Sequence, residues 1–153
     1  MKEHNYENLV KYHRTYKKIE DLLYEYISKY DLSETSFWII YFVFTKRELY
    51  TQSDLCKIWN ETPQTINSAL KKLEADGYVD LTVIPNNKKN KYVSLTPKGL
   101  KLATELVVPF NEAESKAFFR LTDEEQDSLV EVIDKLYNNM EEEFEKIHYD
   151  KDE

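Results

Sequence analysis

TQSDLCKIWNETPQTINSALKKLEADGYVDLTVIPNNKKNKYVSLTPKG, residues 51–99, is the stretch from which the rest of the chain can be read. Its first piece, from Thr51 to Trp59, places Leu55 and Ile58, with Cys56 and Trp59 one step on, at helical spacing behind Thr51 as N-cap. Asn60 then tolerates the left-handed backbone that a close corner between two helices requires. A second helix opens with Thr62 as cap and Pro63 at its first position, and Ile66, Ala69, Leu70 and Leu73 follow at i, i+3, i+4 and i+7. That stripe must face a core. The opposite face presents Gln64, Thr65, Asn67, Ser68, Lys71 and Lys72, with no carboxylate before Glu74.

Gly77 stands where a helix C-terminus needs positive φ. After it Val79, Leu81 and Val83 alternate with Asp80 and Thr82, which predicts a half-buried strand. Pro85 to Asn90 has turn composition and predicts a basic loop, Val93 and Leu95 resume the alternation, and Thr96-Pro97 opens another helix. Two helices at a tight corner followed by a lysine-rich hairpin make a winged helix.

These residues resemble the MarR-type winged helix-turn-helix transcriptional regulators. The resemblance is carried by T-Q-S-x-L at Thr51 to Leu55, by K-K-L-E-x-x-G-Y-V from Lys71 to Val79, and by V-S-L-T-P-K-G from Val93 to Gly99. The only two glycines of the chain, Gly77 and Gly99, are the two the pattern asks for. Two departures stand out: the tip has Asn87, Lys88 and Lys89 where the family carries Asp-x-Arg, and Ser68 is small where a larger polar residue often stands. The resemblance implies a mainly α fold with a small β-hairpin wing and N- and C-terminal helices that pair two copies. It also implies small aromatic effectors, for which the candidates are Tyr12, Tyr16, Trp38, Tyr41 and Trp59.

Charge first argues against a nucleic-acid partner, because the whole chain carries −8. Its distribution reverses the argument. Between Thr51 and Lys101 stand eight lysines and five acids, an excess of three positive charges that leaves −11 elsewhere, notably in EEEFE at Glu141 to Glu145 and in the DKDE tail. A basic segment on an acidic body docks on DNA by that segment. The expected contacts are Thr51, Gln52, Gln64, Thr65, Asn67, Ser68, Lys71 and Lys72, with Lys88, Lys89 and Lys91 reaching phosphates or the minor groove from the wing. Among them, Gln64 and Asn67 suit adenine edges and Thr65 a thymine methyl. Lacking arginine's planar fork, the wing lysines favour salt-sensitive affinity over base discrimination.

Outside this segment the chain reads as helix. From Tyr6 to Tyr30, Leu9, Val10, Tyr16, Ile19, Leu23, Tyr26 and Ile27 recur at helical spacing over about 25 residues, longer than usual for a soluble helix. Ser33 caps the next, whose apolar run FWIIYFVF (Phe37 to Phe44) ends in the polar exit Lys46-Arg47-Glu48 and predicts a buried helix. A helix from Thr96 should kink or stop near Val108, because Pro109 offers no N–H, and resume from Phe110 to Arg120. Thr122 and Glu125 form a capping box for a last helix carrying Leu129, Val132, Ile133, Leu136, Tyr137, Met140, Phe144 and Ile147. Both terminal seams exceed what one small domain needs, which favours a homodimer.

The expected organisation is a helical segment 1–32, a DNA-binding domain 33–96, C-terminal helices 97–148 and a frayed tail 149–153. No window approaches the roughly 18 apolar residues of a membrane span, no signal peptide opens the chain, and the single cysteine fits a reducing compartment, so the cytoplasm is expected. Cys56 reads as an inward, inert thiol rather than a redox sensor. His4, His13 and His148 are too scattered for a metal site, and no nucleophile with a base or glycine-rich phosphate loop suggests an enzyme or a cofactor. The reading is therefore a DNA-binding regulator, a repressor that binds a pseudo-palindromic operator. A winged helix that docks a protein instead is the alternative.

Overall fold

The computed structural model describes residues 3–46, 49–84 and 87–148, with side chains at 5–46, 49–84 and 91–147. Among the described residues, six helices and three strands follow in the order α1 Glu3–Ser28, α2 Glu34–Thr45, β1 Tyr50–Thr51, α3 Gln52–Ile58, α4 Pro63–Ala75, β2 Val79–Ile84, β3 Asn87–Leu95, α5 Pro97–Phe118 and α6 Asp123–His148. The expected mainly α architecture with a β-hairpin is thus present. Two compact units divide the chain, residues 1–108 and 109–153.

In the first unit α2, α3, α4 and the hairpin enclose one core. Phe37, Ile39 and Ile40 from α2, Leu55 from α3, Ile66 and Leu73 from α4, and Val79 and Val93 from the sheet are all at most 1 % exposed. Each such side chain contributes roughly 1.5–3 kcal/mol on burial. Leu106 and Val107 on α5 are buried as well. The run from Phe37 to Phe44 is helical because Ser33 caps it, accepting from the Ser36 N–H.

The sheet has the order β1-β3-β2, antiparallel throughout, with Tyr50 opposite Val93 and Val79 opposite Leu95. Burial fades along β2: Val79 is enclosed, Leu81 half-buried and Val83 exposed, because the hairpin leaves the core as it extends. The lysine-rich stretch expected as a loop is mostly strand. β3 begins at Asn87, and a register irregularity after Val83 pairs Ile84 with Asn87.

Both glycines have a physical reason. Gly77 turns the chain out of α4 at φ +73°, and Gly99 lies so close to Tyr78 that a Cβ would collide with its carbonyl oxygen. That approach is fastened by Thr96, whose hydroxyl donates to the Gly77 carbonyl at 2.7 Å and accepts the Gly99 N–H at 2.9 Å. Lys98 adds a bond from Nζ to the Asp76 carbonyl at 2.6 Å and lies over the Tyr78 ring.

Three expectations are corrected. The first helix ends at Ser28, leaving Tyr30 in the turn before Asp31, which takes φ 54°. Ile58 points outward, 40 % exposed, because α3 is only seven residues long and turns Leu55 to the core instead. Neither does Pro109 stop its helix: α5 runs through it to Phe118. Arg47, Glu48, Pro85, Asn86 and the tail 149–153 lie outside the described residues.

Candidate nucleic-acid interface

α3 and α4 meet as a helix-turn-helix whose corner is Asn60, at φ 49°. The left-handed turn suits asparagine, which tolerates that region better than most side chains. At the start of α3, Thr51 and Asp54 form a capping box: the Thr51 N–H donates to Asp54 Oδ2 at 2.9 Å and the Asp54 N–H returns to Thr51 Oγ1 at 3.2 Å. The Thr51 backbone bond, then that from its hydroxyl, hold the Asp54 carboxyl below the usual carboxylate range. Gln52, next in line, donates from Nε2 to the Pro63 carbonyl at 3.0 Å and so ties the first turn of α3 to that of α4.

Between α3, α4 and the hairpin lies a groove of about 480 Å³. Asn67, Lys71 and Glu74, spaced i, i+4 and i+7 on α4, line one wall; Gln52, Ser53 and Cys56 line the next; Leu81 and Lys91 bring the hairpin to it. Lys71 and Lys91 are twenty residues apart in the sequence, and the antiparallel return of β3 closes that distance.

The sequence-derived contacts divide by what already occupies them. Thr51 and Gln52 are bonded within the corner, as above. Thr65 shares a hydroxyl contact of 2.8 Å with Thr62 and gives its N–H to the same Thr62 oxygen, while Ser68 donates back to the Gln64 carbonyl at 2.9 Å. By contrast the side chains of Gln64, Asn67, Lys71, Lys72 and Lys91 make no hydrogen bond or ion pair with any described residue. Lys88 and Lys89 are on β3, and their side chains lie outside the described residues.

Sequence reasoning did not single out Ser53 or Glu74. Both are visible in the helical spacing, Ser53 beside Gln52 and Glu74 one turn beyond Lys71. Cys56, expected inward, is half-buried and lines the groove; burial pushes its thiol pKa up.

The aromatic candidates fall into two groups. Trp38 stacks on Trp59 with centroids 4.1 Å apart and meets Tyr41 edge-on at 5.2 Å, joining α2 to the end of α3. The space among Trp38, Phe42, Leu55, Trp59 and Ile66 has no room for a water molecule. Tyr12 and Tyr16 lie 6.0 Å apart on α1.

Comparison with known proteins agrees with this geometry. Residues 32–99 match the family described as winged helix DNA-binding domain. The HTH-type transcriptional repressor YetL of Bacillus subtilis is 28% identical over 126 residues, 81% of this chain and 75% of YetL. NMB1585, a MarR family regulator from Neisseria meningitidis, superposes with a TM-score of 0.74 at 22% identity, covering 91% of this chain and 97% of that one. The S. aureus MepR–DNA complex superposes at 0.66 with 19% identity, over 92% and 99%. Residues 32–99 are therefore similar to the winged helix DNA-binding domain family, and the chain has the fold of NMB1585 and MepR.

Proposed function

We propose that this chain represses transcription as a homodimer bound to a pseudo-palindromic operator. Each α4 enters a major groove, and Lys88, Lys89 and Lys91 of the hairpin reach the flanking phosphates or minor groove. Half-site centres then lie about one helical turn, ~34 Å, apart. The observation that carries the reading is that Asn67 and Lys71 of α4 line one groove with Lys91 of the hairpin, their side chains making no hydrogen bond or ion pair with any described residue. Thr51, Gln52, Thr65 and Ser68 set the shape of that surface, and Lys72 adds charge beside it. Repression rather than activation is favoured by the similarity to YetL.

Dimerisation has its own support. On α6, Val132, Ile133, Phe144 and Ile147 are each more than half exposed, as are Tyr16 and Ile19 on α1. Apolar stripes of that length gain stability only when covered. Segments 1–32 and 97–148 are accordingly proposed as the pairing helices and 33–96 as the DNA-binding domain, working in the cytoplasm. A small aromatic effector taken against Tyr12, Tyr16, Trp38, Tyr41 and Trp59 would release DNA by shifting the spacing of the two winged domains. No described helix is long and apolar enough to cross a membrane.

Fluorescence anisotropy with duplex from upstream of the chain's own gene tests the reading. Binding should weaken steeply with salt as counterions are released, and Lys71→Glu should abolish it with helical content unchanged. Failure to bind any duplex at low salt overturns it and favours a winged helix that docks a protein.

A further inference from the structure

On α4 before Glu74, the polar side chains without a hydrogen bond or ion pair to any described residue are of two kinds, the amides Gln64 and Asn67 and the ammoniums Lys71 and Lys72. Thr65 is engaged by Thr62, Ser68 by the Gln64 carbonyl, and the Gln52 amide by the Pro63 carbonyl. Gln64 and Asn67 keep both halves of their side-chain amides unpaired among the described residues. We infer that these two amides read adenines at neighbouring base pairs, so that each operator half-site carries A·T pairs where α4 enters the major groove. The inference rests on the DNA-binding reading above and goes further by assigning the base.

The spacing suits the assignment. Gln64 and Asn67 are three residues apart on one face of α4, a rise of about 4.5 Å along the helix. Base pairs are stacked roughly 3.4 Å apart. The two amides therefore reach adjacent steps of one groove rather than the same pair.

Chemistry then selects the base. A side-chain amide offers one donor group beside one acceptor, and adenine offers the complement, the N6 amino group beside the N7 acceptor. Guanine presents two acceptors, N7 and O6, so an amide's oxygen would face an acceptor with no proton between them. Guanine's usual reader is the two-pronged arginine, and no arginine occurs from Thr51 to Lys101. Lys71, one turn beyond Asn67, ends in an exposed point charge that suits a phosphate.

Selection of bound duplexes from a randomised pool, followed by anisotropy titration of the selected sequence, tests this. We expect A·T pairs at two adjacent positions of each half-site. Replacing either pair with G·C should weaken binding on the order of 10- to 100-fold, the range of one bidentate base contact. Gln64→Ala should remove the preference at one position and Asn67→Ala at the other, leaving the remaining positions as before. A second arm uses the wild-type protein: 7-deazaadenine at either position, which keeps base pairing but lacks the N7 acceptor, should weaken binding too. Selection of G·C at these positions overturns the inference while leaving DNA binding intact. So does full affinity for the 7-deazaadenine duplexes. Absence of any bound duplex overturns the DNA-binding reading itself.

Discussion

Tyr30, in the turn after α1, donates its hydroxyl to the carbonyl of Glu105 at 3.2 Å, and Glu105 stands four residues before Pro109. In a helix that carbonyl would accept from the N–H of residue 109, which proline lacks. The next carbonyl, that of Leu106, accepts the Tyr26 hydroxyl at 2.7 Å. Two tyrosines on adjacent turns of the chain thus supply donors at the place where the helix is short of one, and α5 continues.

Removing these donors should be measurable. Tyr26→Phe is expected to lower unfolding free energy in urea by about 1 kcal/mol, the value of one partly buried hydrogen bond, and Tyr30→Phe by less because its bond is exposed. In a Pro109→Ala background, Glu105 regains an N–H partner and Tyr30→Phe should become nearly neutral. Equal losses in both backgrounds would show that the bond does not serve the proline.

Tyr26 also predicts a pH dependence. Burial, then its hydrogen bond with Tyr30, pushes the phenol up to about 12. A folded pKa above the unfolded one means that the neutral phenol is favoured in the folded chain. Its contribution should be complete below about pH 10, the unfolded phenol's value, and be lost as pH rises toward 12. Urea melts at pH 9 and at pH 11.5 should show a difference between wild type and Tyr26→Phe that shrinks at the higher pH.

The two glycines should not respond alike to alanine. At Gly77 a Cβ meets open space, and only the positive φ costs, about 1–2 kcal/mol. At Gly99 the Cβ would strike the backbone of Tyr78, which neither element can move without breaking the Thr96 bonds. Gly99→Ala should therefore lower Tm well beyond Gly77→Ala, and the reverse order would contradict the close approach.

At the corner of α3, Asp54→Ala should cost about 1 kcal/mol as half of a capping box. The Asp54 carboxyl is held low by the Thr51 N–H, so its contribution is present above the unfolded value near 4 and fades as pH falls through the lower folded one. Wild type and variant should converge in stability in acid. A gap that stays constant from pH 7 to pH 2 would exclude a role for the ionised form.

Burial raises the Cys56 thiol, so little thiolate exists at neutral pH. Iodoacetamide should label it more slowly than free cysteine at pH 7, and denaturant should remove the difference. Labelling as fast as free cysteine would mark an activated thiol.

Much of the helix-turn-helix could be read from residue types alone. Thr62, Pro63 and the Ile66, Ala69, Leu70, Leu73 stripe fix α4 because capping, fixed φ and a 3.6-residue period are local properties. Thr122 and Glu125 announced α6 in the same way, with bonds of 2.8 and 3.2 Å. The polar residues of α4 proposed to face DNA were legible for the same reason, since they lie opposite its buried stripe.

What the sequence by itself determined is therefore every feature set within about one helical turn: caps, the left-handed corner at Asn60, the exit at Gly77 and the polar face of α4. Tertiary structure alone decided which of those polar groups are engaged, because Gln52 reaches across eleven residues to Pro63 while Gln64 and Asn67 bond no described residue through their side chains. It also decided the fate of α5, where the donor missing at Pro109 is replaced by the Tyr30 hydroxyl, 75 residues before Glu105 in the chain. Local rules state which backbone groups must be satisfied; only the packed chain brings distant donors to them.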